Sequence, residues 1–123
     1  MATRILVADD SPFWREEMRT FLERNSSWTV FEASDGSEAV RKSGWIHPDV
    51  VILDMCMPIL DGLGAARELR RRSPDVPVLI LTVDKTPFLD QAAHQAGVRA
   101  VFSKTECLEV RKFLEQTLQG HDA

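Results

Sequence analysis

The chain has 123 residues, 44% of them hydrophobic and 28% charged, and its 15 Lys and Arg against 19 Asp and Glu give a formal net charge of -4. That length suits one domain with a real core, and the composition is ordinary for a folded soluble protein, so disordered and fibrous classes are excluded. The acidic balance argues against a general nucleic-acid surface, and several carboxylates meeting in one place would demand a cation.

Arg4 to Ala8 is a short apolar run that stops abruptly at Asp9-Asp10. The leading MATRILVADD has neither the apolar stretch of a signal peptide nor the length of a membrane span, which predicts a cytoplasmic protein without membrane contact. Ser11-Pro12 reads as a helix N-cap followed by proline at the first helical position. Trp14, Met18, Phe21 and Leu22 then recur at helical spacing, predicting an amphipathic helix to about Arg24, ended by Asn25-Ser26-Ser27. Thr29 to Ala33 is a β-branched and aromatic second strand, and Asp35-Gly36 turns the chain into a helix through Glu38, Ala39 and Val40.

Gly44, His47 and Pro48 lead into VVILDMCMP, residues 50 to 58, where an unbroken aliphatic run enters Asp54. A strand covered on both faces requires such a run, so this is the central strand of a parallel sheet. Asp61 caps the next helix, which carries Leu63, Ala66 and Leu69 inward, and Arg70-Arg71-Arg72 at its end complements the helix dipole as a solvated turn. Val76 to Thr82 is the fourth strand. After a loop to Pro87, the residues Phe88, Leu89, Ala92, Ala93 and Ala96 mark a helix closed by Gly97. Val98 to Phe102 is the fifth strand, left through Ser103-Lys104-Thr105. Cys107, Val110, Phe113, Leu114 and Leu118 form a last amphipathic helix before Gly120 and the uninformative tail His121-Asp122-Ala123. Cys56 and Cys107 lack disulfide density and paired zinc spacing, and read as small apolar residues in a reducing compartment.

Alternating strands and helices of this length require right-handed crossovers, with helices on both faces of the sheet. The polar residues then gather at the strands' carboxyl ends: Asp9 and Asp10 after strand one, Asp54 after strand three, Thr82 after strand four, Lys104 after strand five. Taken singly, each has an ordinary reading. The acids can cap turns or helices, Thr82 can satisfy a loop amide, and Lys104 can be a surface lysine. Together they suggest three carboxylates in a partly dry crevice, relieved by an oxygen-bound Mg²⁺ or Mn²⁺ and by a lysine acting as a point charge toward a phosphoryl oxygen.

In this combination and order the chain resembles the receiver domain of two-component response regulators. The matching elements are Asp9-Asp10, Asp54 with MCMP and Asp61-Gly62, Thr82, and Lys104 after a strand-five VF, and the resemblance runs from Arg4 to about Gln119. It implies a single domain over residues 1–123 with a flavodoxin-like three-layer α/β fold, a five-stranded parallel sheet of order 2-1-3-4-5 and five flanking helices. It implies Asp54 as acceptor of a phosphoryl group from a sensor histidine kinase or phosphotransfer protein. Asp10, Asp54, the Cys56 backbone carbonyl and Asp9, directly or through water, would hold Mg²⁺ (or Mn²⁺), and Lys104 would neutralise phosphoryl oxygens. Such a protein accepts and loses its own phosphoryl group and is not a conventional multiple-turnover enzyme.

The resemblance also gives Thr82 a switch role, its hydroxyl turning to the phosphoryl group, with Phe102, two residues before Lys104, as the aromatic partner. Sequence alone favours Phe102 as a core residue. The face of helix four, strand five and helix five would be read by partners or by a second copy. A DNA-binding output domain regulating transcription would lie outside this chain, which binds no nucleic acid directly. Val83 stands where a small residue is usual and is expected to narrow access to the phosphoryl site. Thr105 replaces a common proline after the lysine, leaving open whether the Lys104-Thr105 peptide is cis.

Rival chemistries fit less well. A haloacid-dehalogenase-like phosphatase needs a second Asp where Cys56 stands, and a flavodoxin needs a phosphate loop where Ala8-Asp9-Asp10-Ser11 repels anions. No histidine is placed to activate Cys56, and His47 and His94 are not proposed as catalytic. The remaining alternative is a receiver-like adaptor or dimerisation module that works without phosphorylation.

Overall fold

Every expected strand and helix forms, and the computed structural model describes residues 2–24 and 26–118. Asn25, Gly120 and the tail from His121 lie outside the described residues. The elements in order are β1 (Arg4–Ala8), α1 (Pro12–Glu23), β2 (Thr29–Ala33), α2 (Gly36–Ile46), β3 (Val50–Asp54), α3 (Gly62–Arg72), β4 (Val78–Thr82), α4 (Pro87–Gln95), β5 (Ala100–Ser103) and α5 (Cys107–Thr117). The strands pair in parallel as β2-β1-β3-β4-β5. Both central strands, β3 and β4, are buried at every position, as their unbroken aliphatic runs require.

Alternation along the strands divides the interior into two layers. Leu6, Ala8, Val51, Leu53, Val78 and Ile80 face α2, α3 and α4 through Ala39, Ala66, Leu69 and Ala93. Ile5, Val7, Val50, Ile52, Leu79 and Leu81 face α1 and α5 through Met18, Leu22, Val110 and Leu114. Arg111 fastens the second pair, its guanidinium donating to the Phe21 carbonyl at 2.8 Å and the Arg24 carbonyl at 3.0 Å.

Several boundaries differ from the sequence reading, β5 also ending one residue later at Ser103, and three of the shifts have a clear local reason. Pro77 has no N–H for the ladder, so β4 begins at Val78, although the Pro77 carbonyl still accepts the Val51 N–H at 3.0 Å. Val98 belongs to the cap that follows α4 rather than to β5. Its N–H donates to the Ala93 carbonyl at 2.9 Å, and Gly97, at φ 86°, makes the left-handed turn that closes this Schellman cap. Gly44 lies inside α2, and His47, at φ 53°, takes the left-handed capping position immediately before Pro48.

Candidate functional site

The site is built by strand register. Ala8 of β1 pairs with Leu53 of β3, so Asp9 and Asp54 each stand one residue beyond a shared rung. Thr82 pairs with Ser103, which leaves Lys104 one residue beyond the rung that joins β4 to β5. Asp54 follows Val50 and Ile52 in alternation, and Asp9 follows Ile5 and Val7, so both begin from the sheet face covered by α1 and α5.

The β3–α3 junction is equally constrained. Asp61 caps α3 by accepting the Gly64 N–H at 2.8 Å, while the Gly62 N–H donates to the Met55 carbonyl at 2.9 Å. A side chain at Gly62 would place its Cβ 2.6 Å from the Asp54 carbonyl oxygen, so glycine is what lets α3 start against the strand end.

Carboxylate oxygens of Asp9, Asp10 and Asp54 all lie within 4.8 Å of one another. Asp9 and Asp54 are buried and Asp10 is exposed. Lys104, 9% exposed, extends into the cluster, with Nζ 2.7 Å from Asp9 Oδ2 and 3.3 Å from Asp54 Oδ1. Burial works against its ammonium, but the Asp9 hydrogen bond and the Asp54 and Asp9 charges outweigh that and raise its pKa above the ordinary lysine value. Asp54 is pushed the other way from a typical paired carboxylate. Burial first, and then the Asp9 charge, raise its pKa against the pull of Lys104.

The Lys104 ammonium meets two of the three carboxylates and leaves Asp10 without it, an all-oxygen arrangement that fits a hard divalent cation. Cys56 sits two residues past Asp54 in the bend after β3, with its side chain exposed. The Lys104-Thr105 peptide is trans, as are all peptide bonds among the described residues.

Thr82 and Phe102 are adjacent to the cluster without entering it. Thr82 is buried, and its Oγ1 accepts the Asp84 N–H at 3.2 Å, the loop-amide role that sequence left open. Phe102 pairs with Leu81 and packs edge-on against Phe113 of α5, with centroids 5.7 Å apart, on the α1/α5 face. Thr82 alternates with Val78 and Ile80 onto the other face, and the β5 residue packed on that side is Val101. Register therefore sets Thr82 and Phe102 on opposite faces of the sheet, and the half-buried ring packs against the α1/α5 layer, one position out of phase with the hydroxyl. Val83, next to Thr82, is 78% exposed.

One neighbour of the cluster was missed. Trp14, which sequence spacing assigned to the inner stripe of α1, has its ring centroid 5.0 Å from Lys104 Nζ. A first-turn tryptophan two residues past the Ser-Pro cap that follows the acidic pair was the available signal.

Comparison with known proteins gives a consistent result. The family model described as response regulator receiver domain matches residues 5–115. Response regulator MprA of Mycobacterium ulcerans (strain Agy99) is 39% identical over 109 residues, covering 89% of this chain and 47% of that protein. The chain therefore spans about half the length of that curated relative. Among solved structures, a two-component response regulator of the LuxR family from Aurantimonas sp. SI85-9A1 matches with TM-score 0.90 and 30% identity, over 98% of this chain and 87% of that one. Chemotaxis protein CheY4 of Vibrio cholerae matches with TM-score 0.88 and 27% identity, over 96% of this chain and all of that one.

Proposed function

The chain belongs to the response regulator receiver domain family, and on that premise we propose that residues 1–123 act as one phosphorylation-dependent switch with Asp54 as acceptor. The observation that carries the reading is the cluster of three carboxylates within 4.8 Å, two of which meet the buried Lys104 ammonium. An Asp54 carboxylate oxygen attacks the phosphorus of a phosphohistidine on a sensor kinase or phosphotransfer protein. The O–P bond forms as the N–P bond breaks, and the electron pair returns to the imidazole, which takes a proton from solvent. Lys104 follows the charge, moving from Asp54 Oδ1 toward the equatorial phosphoryl oxygens, while Asp9 keeps hold of its other side. When bound by Asp10, Asp54, the Cys56 carbonyl and Asp9, Mg²⁺ or Mn²⁺ would supply positive charge to the phosphoryl oxygens. Asp54 attacks only as the anion, and its burial makes such counter-charge necessary.

The relay begins at Thr82, whose hydroxyl accepts the Asp84 N–H and keeps its own proton to donate to the phosphoryl group, so that turning toward it draws the loop after β4 along. The surface of α4, β5 and α5 then meets a partner, a second copy of the chain, or a DNA-binding output domain outside these residues. Phe88 on α4, 82% exposed, gives that surface an apolar anchor. Among the described residues no helix is long and apolar enough to cross a membrane.

Intact mass before and after incubation with Mg²⁺ and acetyl phosphate tests the reading. We expect one hydroxylamine-labile phosphoryl adduct, absent from Asp54→Asn and from metal-free protein. Failure with both acetyl phosphate and a phosphorylated histidine kinase would overturn it.

A further inference from the structure

Lys104 has a neighbour that the acceptor reading does not use. Its ammonium meets Asp9 at 2.7 Å and Asp54 at 3.3 Å, and the Trp14 ring occupies another side at 5.0 Å. An electron-rich ring at that distance attracts a cation, most strongly where water is excluded, as it is around a lysine that is 9% exposed. A third carboxylate there would also hold the ammonium, but would cancel the charge that an incoming phosphoryl oxygen needs. The ring attracts without carrying a formal charge.

The helix start that carries the ring is tied, through its backbone amides, to the same acid that holds the lysine. Asp9 Oδ1 accepts the Ser11 N–H at 2.9 Å, Ser11 Oγ accepts the Trp14 N–H at 3.3 Å, and the Arg15 guanidinium donates to the Asp9 carbonyl at 2.6 Å. Asp9, Ser11, Trp14 and Lys104 therefore close a ring of contacts, and the start of α1 is fixed relative to the ammonium. Beyond Trp14 lies a cavity of about 130 Å³ lined by Glu17, Met18, Phe21 and Cys107. Water entering past a smaller side chain would reach the ammonium and free its flexible four-carbon stem.

We propose that Trp14 is a positioning residue whose ring face keeps the Lys104 ammonium over Asp54 and so sets the rate of phosphoryl uptake. The inference rests on Asp54 being the acceptor and Lys104 its counter-charge. In the step concerned, an Asp54 oxygen forms its bond to phosphorus as the bond from phosphorus to the donor's oxygen breaks, and acetate leaves with the electron pair when acetyl phosphate is the donor. Lys104 gives up no proton. It moves from one oxygen to another, and Trp14 limits how far it strays.

The test measures uptake rates by intact mass, with Mg²⁺ and acetyl phosphate, in wild type, Trp14→Leu, Trp14→Phe, Lys104→Met and the Trp14→Leu/Lys104→Met double variant. Trp14→Leu should slow the limiting rate about 5- to 20-fold, the range that a partly desolvated cation–ring contact spans. Trp14→Phe should recover to within about threefold, since phenyl also presents a ring face. In the Lys104→Met background, Trp14→Leu should change the rate less than about twofold, because its effect acts through the lysine. A structural role would slow both backgrounds alike, and that result would overturn the proposal. NMR supplies a readout without any phosphoryl donor: the Lys104 ε-methylene protons should carry an upfield ring-current shift that Trp14→Leu abolishes and Trp14→Phe retains. Wild-type uptake that Trp14→Leu leaves unchanged, or a Lys104 shift that it does not move, sinks this inference alone. A wild type that takes no phosphoryl group from any donor brings down the acceptor reading as well, whatever the NMR shows.

Discussion

Two charged regions of this molecule invite opposite conclusions from size and from chemistry. Between α2 and α3 lies a cavity of about 570 Å³ lined by Arg41, Arg71, Arg72, Glu68 and three serines, whereas the acidic cluster at the strand ends is a narrow crevice. In the groove, Glu68 already meets Arg71 at 2.8 Å and Arg72 at 3.3 Å, and both guanidinium groups are more than half exposed. Water and a neighbour satisfy those charges, so they ask little of a ligand. In the crevice, Asp9, Asp54 and Lys104 are each below 10% exposure, and the acids outnumber the cation. Function is better sought where burial leaves charge uncompensated than where the surface is merely hollow.

Substitutions can break or sharpen that contrast. Largest is Asp54→Asn, which should abolish the phosphoryl adduct seen by intact mass, while Arg41→Ala and Glu68→Gln keep it. Next, Lys104→Met should slow uptake about 100-fold or more, by removing a fixed, buried cation aimed at the transferring oxygens. Third, metal-free Asp54→Asn should be more stable than wild type at neutral pH by on the order of 1 kcal/mol in urea unfolding, because it takes one like charge out of the crevice.

The sign of that third effect follows from Asp54's raised pKa. Between the unfolded and folded values the native state binds more protons, so Asp54's contribution to stability falls as pH rises through that window. The gain from Asp54→Asn should therefore shrink and vanish as pH drops below the ordinary Asp range. Comparing the two proteins at each pH cancels Glu38, whose pKa is lowered chiefly by its Lys42 hydrogen bond and which behaves in the opposite sense. Added Mg²⁺ should stabilise wild type more than Asp54→Asn, reversibly with chelator. At the small end, Val83→Ala should change the lifetime of the phosphorylated form, read from decay of the adduct mass; equal half-lives would show that the exposed valine shields nothing. Arg41→Ala and Glu68→Gln should alter uptake by less than about twofold.

Sequence revealed most of this where a local rule acts alone. β1, β2 and β3 begin and end as read, because their apolar runs stop at charges or turn residues. The helix caps Ser11 and Asp61 are likewise written in their own side chains, and Asp35, read only as a turn into the helix, caps α2. Where two signals competed, the boundary moved. Val98 has strand-like chemistry, yet it serves the end of α4, and His47 rather than Gly44 takes the left-handed turn. The four residues of the acid–lysine cluster were legible because each ends a strand. The companion of Thr82 was not, since the face that Phe102 occupies depends on its pairing with Leu81, a register that no local pattern specifies. Trp14 was hidden for a related reason: an inward-facing aromatic on a helix does not say which neighbour it will meet.

The Ala8–Leu53 rung has one more consequence, for tolerance to sequence drift. Backbone pairing sets the spacing of Asp9 and Asp54, so the aliphatic residues beneath them can exchange among Val, Ile and Leu while the two acids keep their places. Length is another matter. A single residue inserted into β1 or β3 would carry its aspartate to the opposite face of the sheet, so these strands should accept many substitutions and no insertions.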